Sequence, residues 1–374
     1  MTARRIVVKI GSSSLTRADG LLSIESMARL AAQIGALRHT DGAEVILVSS
    51  GAVAAGLGRL HWRPSEVTLR EKQSAAAVGQ GLLIDAYRDL FAVQDVEVAQ
   101  VLLVRSDLEE RRRYVHVRNT LSTLLRHGVL PIVNENDTVA VDEIRFGDND
   151  TLAGLVALVA DANLLLLLTD TDGFYDADPR TESSAQKIPD VWELTDSMAK
   201  MAGRAGSRVG TGGMRTKLEA ARIAMDAGID TVVVGSEEPD VLQRVLAGEP
   251  LGTTFHARRD PLPRKKLWMV HGSRPAGRLT LDAGAVDAVL ERSASLLLPG
   301  ITGISGAFRS GDVIELATLS GRVIGKGIVN CSSWDLKDWL ARRKPGAAAR
   351  ELRVVHHREM SIEREGIRDA GIEA

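Results

Sequence analysis

Cysteine is almost absent from this sequence, since Cys331 is the only one in 374 residues. A single cysteine cannot form an intramolecular disulfide, so we expect a protein of a reducing, cytoplasmic compartment with Cys331 as a small buried residue. Long apolar runs are also lacking: IVV near the N-terminus stops at Lys9, and LAGLVALVADANLLLLL is interrupted by Asp161 and Asn163. We therefore expect neither a signal peptide nor a membrane-spanning segment.

Aromatic side chains and net charge are scarce as well. Aromatic residues make up 3% of the chain, so Leu, Val, Ile and Ala must build the core. The formal net charge of -2 gives no excess of either sign that would suggest dedicated binding to nucleic acid or membranes. The histidines are scattered, and His356 and His357 lack cysteines or carboxylates at zinc-site spacing, so we expect no metal held by histidine.

The two commonest nucleotide-binding motifs are missing. The segment GTGGMRTK, residues 210–217, is glycine-rich and precedes a helical pattern, but it lacks the G-x-x-x-x-G-K-[ST] order of a Walker A loop. The segment GRVIGKG, residues 321–327, is too short for that motif, and no G-x-G-x-x-G follows the first predicted strand. From its residues alone, GTGGMRTK is equally well explained as a phosphate loop or a flexible loop.

Apolar runs of strand length alternate with helical patterns through the first two-thirds of the chain. Such runs are typical of parallel strands covered on both faces, so we predict an α/β fold with a mostly parallel sheet sandwiched by helices. The segment TVAVDEIRFGDND breaks the alternation and predicts a small hairpin. The predicted strands are RRIVVKI, EVILVS, VEVAQVLL, VLPIVN, LLLLLT and TVVVG, and the predicted helices lie near residues 24–39, 71–92, 111–127, 151–161 and 214–227.

The pattern changes where charges and two prolines cluster in HARRDPLPRKK. We predict that a first domain spans residues 1–256 and a linker spans 257–273. Short strand patterns with frequent glycines follow and predict a small β-rich domain over residues 274–358. Residues 359–374 are charged and lack apolar periodicity, so we predict a loose tail.

Polar or small residues follow four of the predicted strands. Ligands of open α/β sheets bind outside the carboxyl ends of the strands, so this coincidence predicts a binding site. Each segment alone also has an ordinary explanation, as a lysine reaching solvent, serines capping a helix, or Asn and Asp in turns. The residues are Lys9, Gly11 and Ser12; Ser49, Ser50 and Gly51; Asn134, Glu135, Asn136 and Asp137; and Thr169 and Asp170.

Seven segments together resemble the amino acid kinase family in order and spacing. They are VVKIGSSSLT, VSSGAVAAG, KQSAAAVGQ, PIVNENDTVA, FGDNDTLA, LLLLTDTDGFYDADPR and GTGGMRTKLEAA. The C-terminal part resembles the PUA domain, a small β-rich module first known from RNA-modifying enzymes. The resemblance implies ATP-dependent phosphorylation of the side-chain carboxylate of L-glutamate to L-glutamyl 5-phosphate, the first step of proline biosynthesis.

The resemblance also implies partners, and it leaves alternatives open. We expect proline as a feedback inhibitor, glutamyl phosphate reductase as the downstream partner, and a homo-dimer or homo-tetramer. A sister kinase acting on acetylglutamate or aspartate is the main alternative. RNA binding through the PUA-like domain is the weaker one, because residues 275–345 hold nine Lys/Arg against seven Asp/Glu and no interleaved aromatics.

Phosphoryl transfer to a carboxylate requires cations on both sides of two approaching anions. We expect Lys9 and Lys217 in this role, with Asp148 and Asp150 holding the lysines or contacting the Mg²⁺ that enters with ATP. Asp150 also begins a predicted helix, where a carboxylate can cap N–H groups. The residues expected to contact ATP are Lys9, Gly11, Ser12, Thr169, Asp170, Gly210, Thr211, Gly212, Gly213, Met214 and Lys217.

Glutamate must be bound at its α-ammonium and α-carboxylate. Asp137 suits the ammonium, and the amides of Asn134 and Asn149 can hydrogen-bond a carboxylate without adding charge. The resemblance places Ser50, Asp137 and Asn149 in the glutamate site. Ser50 and Gly51 open a predicted helix and can offer backbone N–H groups to an anion.

Overall fold

The protein is described from a computed structural model that covers residues 4–17, 19, 21–140, 149–179, 181–182, 184–204, 213–341 and 352–362. The chain forms two compact units, Met1–Leu262 and Pro263–Ala374. Within these covered ranges, no helix has the length and apolar character that crossing a membrane requires.

The first unit is an α/β layer structure. Its described strands are β1 (Arg5–Ile10), β2 (Glu44–Val48), β3 (Val98–Leu103), β4 (Leu130–Glu135), β5 (Leu164–Thr169), β6 (Phe174–Tyr175), β7 (Lys187–Ile188), β8 (Asp190–Val191), β9 (Asp230–Gly235) and β10 (Thr253–Phe255). Eight of these form one sheet in the order β3-β4-β2-β1-β5-β9-β10-β8, in which the pairing of β9 with β10 is antiparallel and the others are parallel. The predicted mostly parallel sheet is therefore confirmed.

Helices cover both faces of this sheet. They are α1 (Ser12–Leu15), α2 (Ile24–Asp41), α3 (Ala52–Leu60), α4 (Leu69–Ala92), α5 (Arg105–Glu109), α6 (Arg111–Arg126), α7 (Asn149–Val159), α8 (Asp196–Arg204), α9 (Met214–Asp226) and α10 (Val241–Leu246). Ile6, Val8 and Ile10 pack in one core with α2, α4 and α10. Because side chains alternate along a strand, Val7 and Lys9 face the opposite layer, where α7 packs on β1.

Helices α3 and α4 pack with their backbones in contact. A Cβ atom added to Gly56 would lie 1.8 Å from the carbonyl oxygen of Ala75, and one added to Gly79 would lie 1.8 Å from that of Ala52. Helix α4 begins with a capping box in which Thr68 and Glu71 satisfy each other's backbone N–H groups. The Thr68 backbone N–H donates to the Glu71 carboxylate and lowers its pKa.

The second unit is β-rich. Its described strands are β11 (Gly277–Leu281), β12 (Leu296–Leu297), β13 (Ile301–Gly306), β14 (Val313–Ala317), β15 (Val323–Val329) and β16 (Arg353–Ile362), and its described helices are α11 (Arg264–Leu267), α12 (Ala283–Leu290) and α13 (Ser333–Ala341). The six strands form one sheet in the order β12-β16-β15-β14-β11-β13. Cys331 lies in the core of this unit, and burial raises the pKa of its thiol to about 11. The predicted β-rich second part is confirmed.

The structure describes part of the predicted linker and part of the predicted tail. In the predicted linker, residues 257–262 pack on the first unit, since Arg258 pairs with Asp226, whereas Arg264–Leu267 is helical and continues into a π-helical turn at Trp268–Gly272. In the predicted tail, residues 359–362 belong to β16, where Met360 pairs with Gly327 and is buried. The predicted hairpin falls largely on residues 141–148 and the rest of the tail on 363–374, both outside the described residues.

Candidate active site

The sheet order brings the four polar strand ends side by side. Strands β4, β2, β1 and β5 are consecutive neighbours and parallel, so their carboxyl ends lie along one edge of the sheet. Sequence alone identified the four strand ends, but it did not give their order in the sheet. This edge of the sheet therefore has, in one row, a lysine, two serines, an amide cluster and a threonine.

A buried carboxylate joins the two predicted cationic residues. Oδ1 of Asp150 lies 2.5 Å from Nζ of Lys9, and Oδ2 of Asp150 lies 3.0 Å from Nζ of Lys217. The exposed fraction is 3% for Lys9, 0% for Asp150 and 9% for Lys217. These three side chains contain two cations and one anion, so the cluster has one positive charge in excess and suits an anionic ligand.

Packing of α7 against α9 explains why the cluster forms. A Cβ atom added to Gly154 would lie 2.9 Å from Cα of Ala220, so the two helices approach closely at that level. Asp150 lies one turn before Gly154, and Lys217 lies one turn before Ala220. The close approach therefore brings the first turns of the two helices together. The Asp150 carboxylate also accepts from the hydroxyl of Thr216 at 3.0 Å.

The second cluster is built from amides. Nδ2 of Asn149 lies 2.7 Å from the carbonyl oxygen of Ser49, 2.9 Å from Oγ of Ser50 and 2.9 Å from Oδ1 of Asn134. Because Asn149 and Asp150 are consecutive in the first turn of α7, the amide cluster adjoins the charged one. Ser50 and Asn134 are buried.

Two backbone groups fix the orientation of these amides. The Ser49 carbonyl can only accept, so the group facing it must be Nδ2 of Asn149. The Glu135 N–H can only donate, at 2.9 Å, so the group facing it must be Oδ1 of Asn134. Nδ2 of Asn134 therefore donates to Oε1 of Gln80, at 2.8 Å.

The Asn149 amide is held by protein groups, since the hydrogens of its Nδ2 are directed at the Ser49 carbonyl oxygen, Oγ of Ser50 and Oδ1 of Asn134. Asn134 retains one Nδ2 hydrogen beyond its bond to Gln80.

Two residues in this region were not identified from the sequence. Gln80 lies in the quoted segment KQSAAAVGQ, but nothing in a helical pattern indicates that its side chain reaches Asn134. Tyr87 is fully buried in α4, and its hydroxyl lies 3.0 Å from Oγ of Ser49. Burial raises the pKa of Tyr87 well above its usual range.

The remaining predicted residues surround these two clusters. Gly51 has φ of 100°, in the left-handed region that favours glycine, and forms the N-cap of α3. Asp137 is half-buried in the turn after β4.

Thr169 is buried at the end of β5 and donates to the exposed Asp170. Gly11 and Ser12 start α1, and Gly213 and Met214 start α9. Asp148, Gly210, Thr211 and Gly212 lie outside the described residues.

Asp150 does not fit the role of a magnesium ligand in this arrangement. Both of its carboxylate oxygens contact a lysine ammonium, and the side chain is fully buried. Among the described residues, no group of three or more His, Cys, Asp or Glu side chains could hold a metal ion.

Comparisons with known proteins agree with this fold. The amino acid kinase family matches residues 4–235, and the PUA domain matches residues 277–344. The two matches cover the α/β unit with its strand-end site and the β-rich unit, respectively. The chain therefore belongs to the amino acid kinase family and has a PUA domain.

Sequence similarity to individual proteins shows to which kinases of this family the chain is related. Over 334 residues the chain is 46% identical to the glutamate 5-kinase of Carboxydothermus hydrogenoformans, with 89% of each chain covered. It is 48% identical over 333 residues to the glutamate 5-kinase of Synechococcus sp. (strain JA-2-3B'a(2-13)), covering 89% of this chain and 90% of that one. The glutamate 5-kinase of Shewanella oneidensis is 47% identical over 325 residues, with 87% of each covered. This similarity places the chain among the glutamate 5-kinases.

Proposed function

We propose that this protein transfers the γ-phosphoryl group of ATP to the side-chain carboxylate of L-glutamate, giving L-glutamyl 5-phosphate and ADP. The observation that carries the proposal is the pairing of both Lys9 and Lys217 with one buried carboxylate, beside a cluster of amides. The relatives named above support glutamate as the acceptor.

The acceptor itself supplies the nucleophile. A γ-carboxylate has an ordinary pKa of about 4.3, so it is ionised at neutral pH and needs no general base. The main obstacle is the repulsion between this carboxylate and the phosphates of ATP. Lys9 and Lys217 reduce that repulsion, and Asp150 fixes both ammonium groups before the substrates arrive. The entropic cost of ordering these side chains is then met when the protein folds, so it does not reduce the affinity for the substrates.

The amide cluster receives the amino-acid end of glutamate. Asp137 provides the charge that opposes the α-ammonium, and the amide of Asn149 lies beside Ser50 and Asn134 at the carboxylate end. The free Nδ2 hydrogen of Asn134, the hydroxyl of Ser50 and the backbone N–H of Gly51 suit the carboxylate oxygens. Each of these groups lies at the end of β2 or β4, or in the first turn of α7.

ATP binds at the part of the sheet edge that is formed by the ends of β1 and β5. Lys9, Gly11 and Ser12 follow β1, Thr169 and Asp170 follow β5, and Gly213, Met214 and Lys217 open α9. From the sequence we further propose that Gly210, Thr211 and Gly212 contact the nucleotide and that Asp148 helps to hold the lysines or the Mg²⁺. The N-terminus of α9 directs backbone N–H groups toward an anion, as at other phosphate sites.

The reaction gives the protein a place in proline biosynthesis. Glutamyl 5-phosphate is an acyl phosphate that decays in water, so we propose that a glutamyl phosphate reductase consumes it directly. We further propose feedback inhibition by proline, a homo-dimeric or homo-tetrameric assembly, and a cytoplasmic location.

Trapping the acyl phosphate tests the acceptor. Hydroxylamine converts an acyl phosphate to a hydroxamate, which is measured by its colour with ferric ion. Glutamate, acetylglutamate and aspartate are supplied in parallel with ATP and magnesium, and ATP is omitted as the control. Hydroxamate should form with glutamate, whereas formation with acetylglutamate or aspartate alone would assign the protein to a sister activity.

A further inference from the structure

Tyr87 connects the interior of α4 to the amide cluster. Its hydroxyl lies 3.0 Å from Oγ of Ser49, and Oγ of Ser49 lies 3.2 Å from the carbonyl oxygen of Ser50. That carbonyl can only accept, so the Ser49 hydroxyl donates to it and Tyr87 donates to the Ser49 oxygen. The result is a directed chain of hydrogen bonds from Tyr87 to the peptide that follows Ser50.

The same short segment holds Asn149. The carbonyl oxygen of Ser49 and Oγ of Ser50 accept from Nδ2 of Asn149, at 2.7 and 2.9 Å. A shift of the Ser49–Ser50 backbone would therefore move two of the three acceptors of Asn149. Ser49 is fully buried, so water cannot replace the bond from Tyr87.

Helix α4 is a rigid support for this chain. Its backbone touches that of α3 at Gly56 and Gly79, and α3 begins at Ala52, directly after Gly51. Tyr87 itself is fully buried and stacks on Phe91, with ring centroids 6.0 Å apart. A side chain enclosed in this way cannot touch a substrate, and it can act only through its neighbours.

We infer that Tyr87 is a positioning residue of the acceptor site, which fixes Ser49, Ser50 and Asn149 for glutamate binding without contacting glutamate. This inference rests on the proposed function. It assigns a role in substrate affinity to a core tyrosine on α4, outside the segments that follow the strands.

The Tyr87→Phe variant tests the inference, because it removes one hydroxyl and keeps the ring. We expect the KM for glutamate to rise about 3- to 10-fold, the effect of one lost hydrogen bond, while the KM for ATP stays unchanged. Phe91→Leu is the matched control one turn along α4: it loosens the same core and should lower the melting temperature without changing the KM for glutamate. An unchanged KM in Tyr87→Phe, or an equal rise in Phe91→Leu, would overturn the inference.

A double-mutant cycle tests the route through Ser49. Ser49→Ala should raise the KM for glutamate to a similar extent, and Tyr87→Phe should add nothing further in that background. Effects that multiply would show that Tyr87 does not act through the Ser49 hydroxyl. Wild-type protein without glutamate kinase activity would instead contradict the proposed function, so the two failures are distinguishable.

Discussion

Nζ of Lys9 lies 2.5 Å from Oδ1 of Asp150. Lys9 belongs to β1 and Asp150 to α7, and three further strands separate these two elements in the sequence. Both side chains are almost completely buried. Asp150 also binds Lys217 through its other oxygen, so one carboxylate holds both cations in place. Asp150 therefore holds both lysines at once.

Replacing Asp150 should cost both stability and activity. Asp150→Asn keeps the shape but leaves two buried ammonium groups without their anion, so we expect the free energy of unfolding to fall by about 3–5 kcal/mol. Denaturant titration measures this change. Asp172→Asn breaks the exposed pair with Lys187 and should cost less than about 1 kcal/mol. Equal effects of the two variants would contradict the structural role of Asp150.

Lys217 should matter for turnover more than for folding. Lys217→Ala leaves Lys9 paired with Asp150, so we expect a folded protein whose turnover falls about 100- to 1000-fold, as when one stabilising donor is removed from a transition state. ADP release in a coupled assay measures the turnover. Lys265→Ala removes an exposed lysine that pairs with Glu359 and is the control, with turnover unchanged. Near wild-type turnover in Lys217→Ala would reject the proposed role.

Asp137 should act on the acceptor and not on the nucleotide. Asp137→Ala removes the charge proposed to oppose the α-ammonium of glutamate, so we expect the KM for glutamate to rise at least about 10-fold. The KM for ATP should change little, and both constants come from the same initial-rate experiment. A rise in the KM for ATP alone would show that Asp137 belongs to the ATP site and not to the glutamate site.

Two glycines on α4 should respond in opposite directions to alanine. In Gly79→Ala the new Cβ would lie 1.8 Å from the Ala52 carbonyl oxygen, which must force α3 and α4 apart and destabilise the protein by about 1–3 kcal/mol or more. In Gly81→Ala the Cβ meets nothing within 4 Å, and the gain in helix propensity should stabilise by about 0.5–1 kcal/mol. Thermal unfolding of both variants measures the difference, and destabilisation by Gly81→Ala would contradict this account of the packing.

Local sequence patterns predicted most of the helices and strands of the first unit. Helix α2 begins at Ile24, as its apolar periodicity predicts, because Ser23 caps it, and β5 matches the predicted LLLLLT run. The polar strand ends were also visible, because Lys9, Ser50, Asn134 and Thr169 each interrupt an apolar pattern.

Tertiary relationships could not be predicted in the same way. The order of the strands depends on long connections, and it decides which polar ends become neighbours. The contact between Gln80 and Asn134 depends on how α4 packs, and the orientation of the Asn149 amide depends on backbone groups of β2 and β4. Charge and proline content also do not reveal that Arg264–Leu267 forms a helix or that β16 continues to Ile362.

Oxygen-18 transfer tests the central claim most directly. Glutamate is labelled with oxygen-18 in its side-chain carboxylate only, and the reaction runs with unlabelled ATP and hydroxylamine. A carboxylate oxygen attacks the γ-phosphorus and ADP leaves; hydroxylamine then attacks the acyl carbon and expels phosphate that retains that oxygen. We expect the released phosphate to carry one labelled oxygen, and none when the label is in the α-carboxylate. The account would be contradicted if glutamate labelled in the side chain gave unlabelled phosphate. It would equally be contradicted if glutamate labelled in the α-carboxylate gave labelled phosphate.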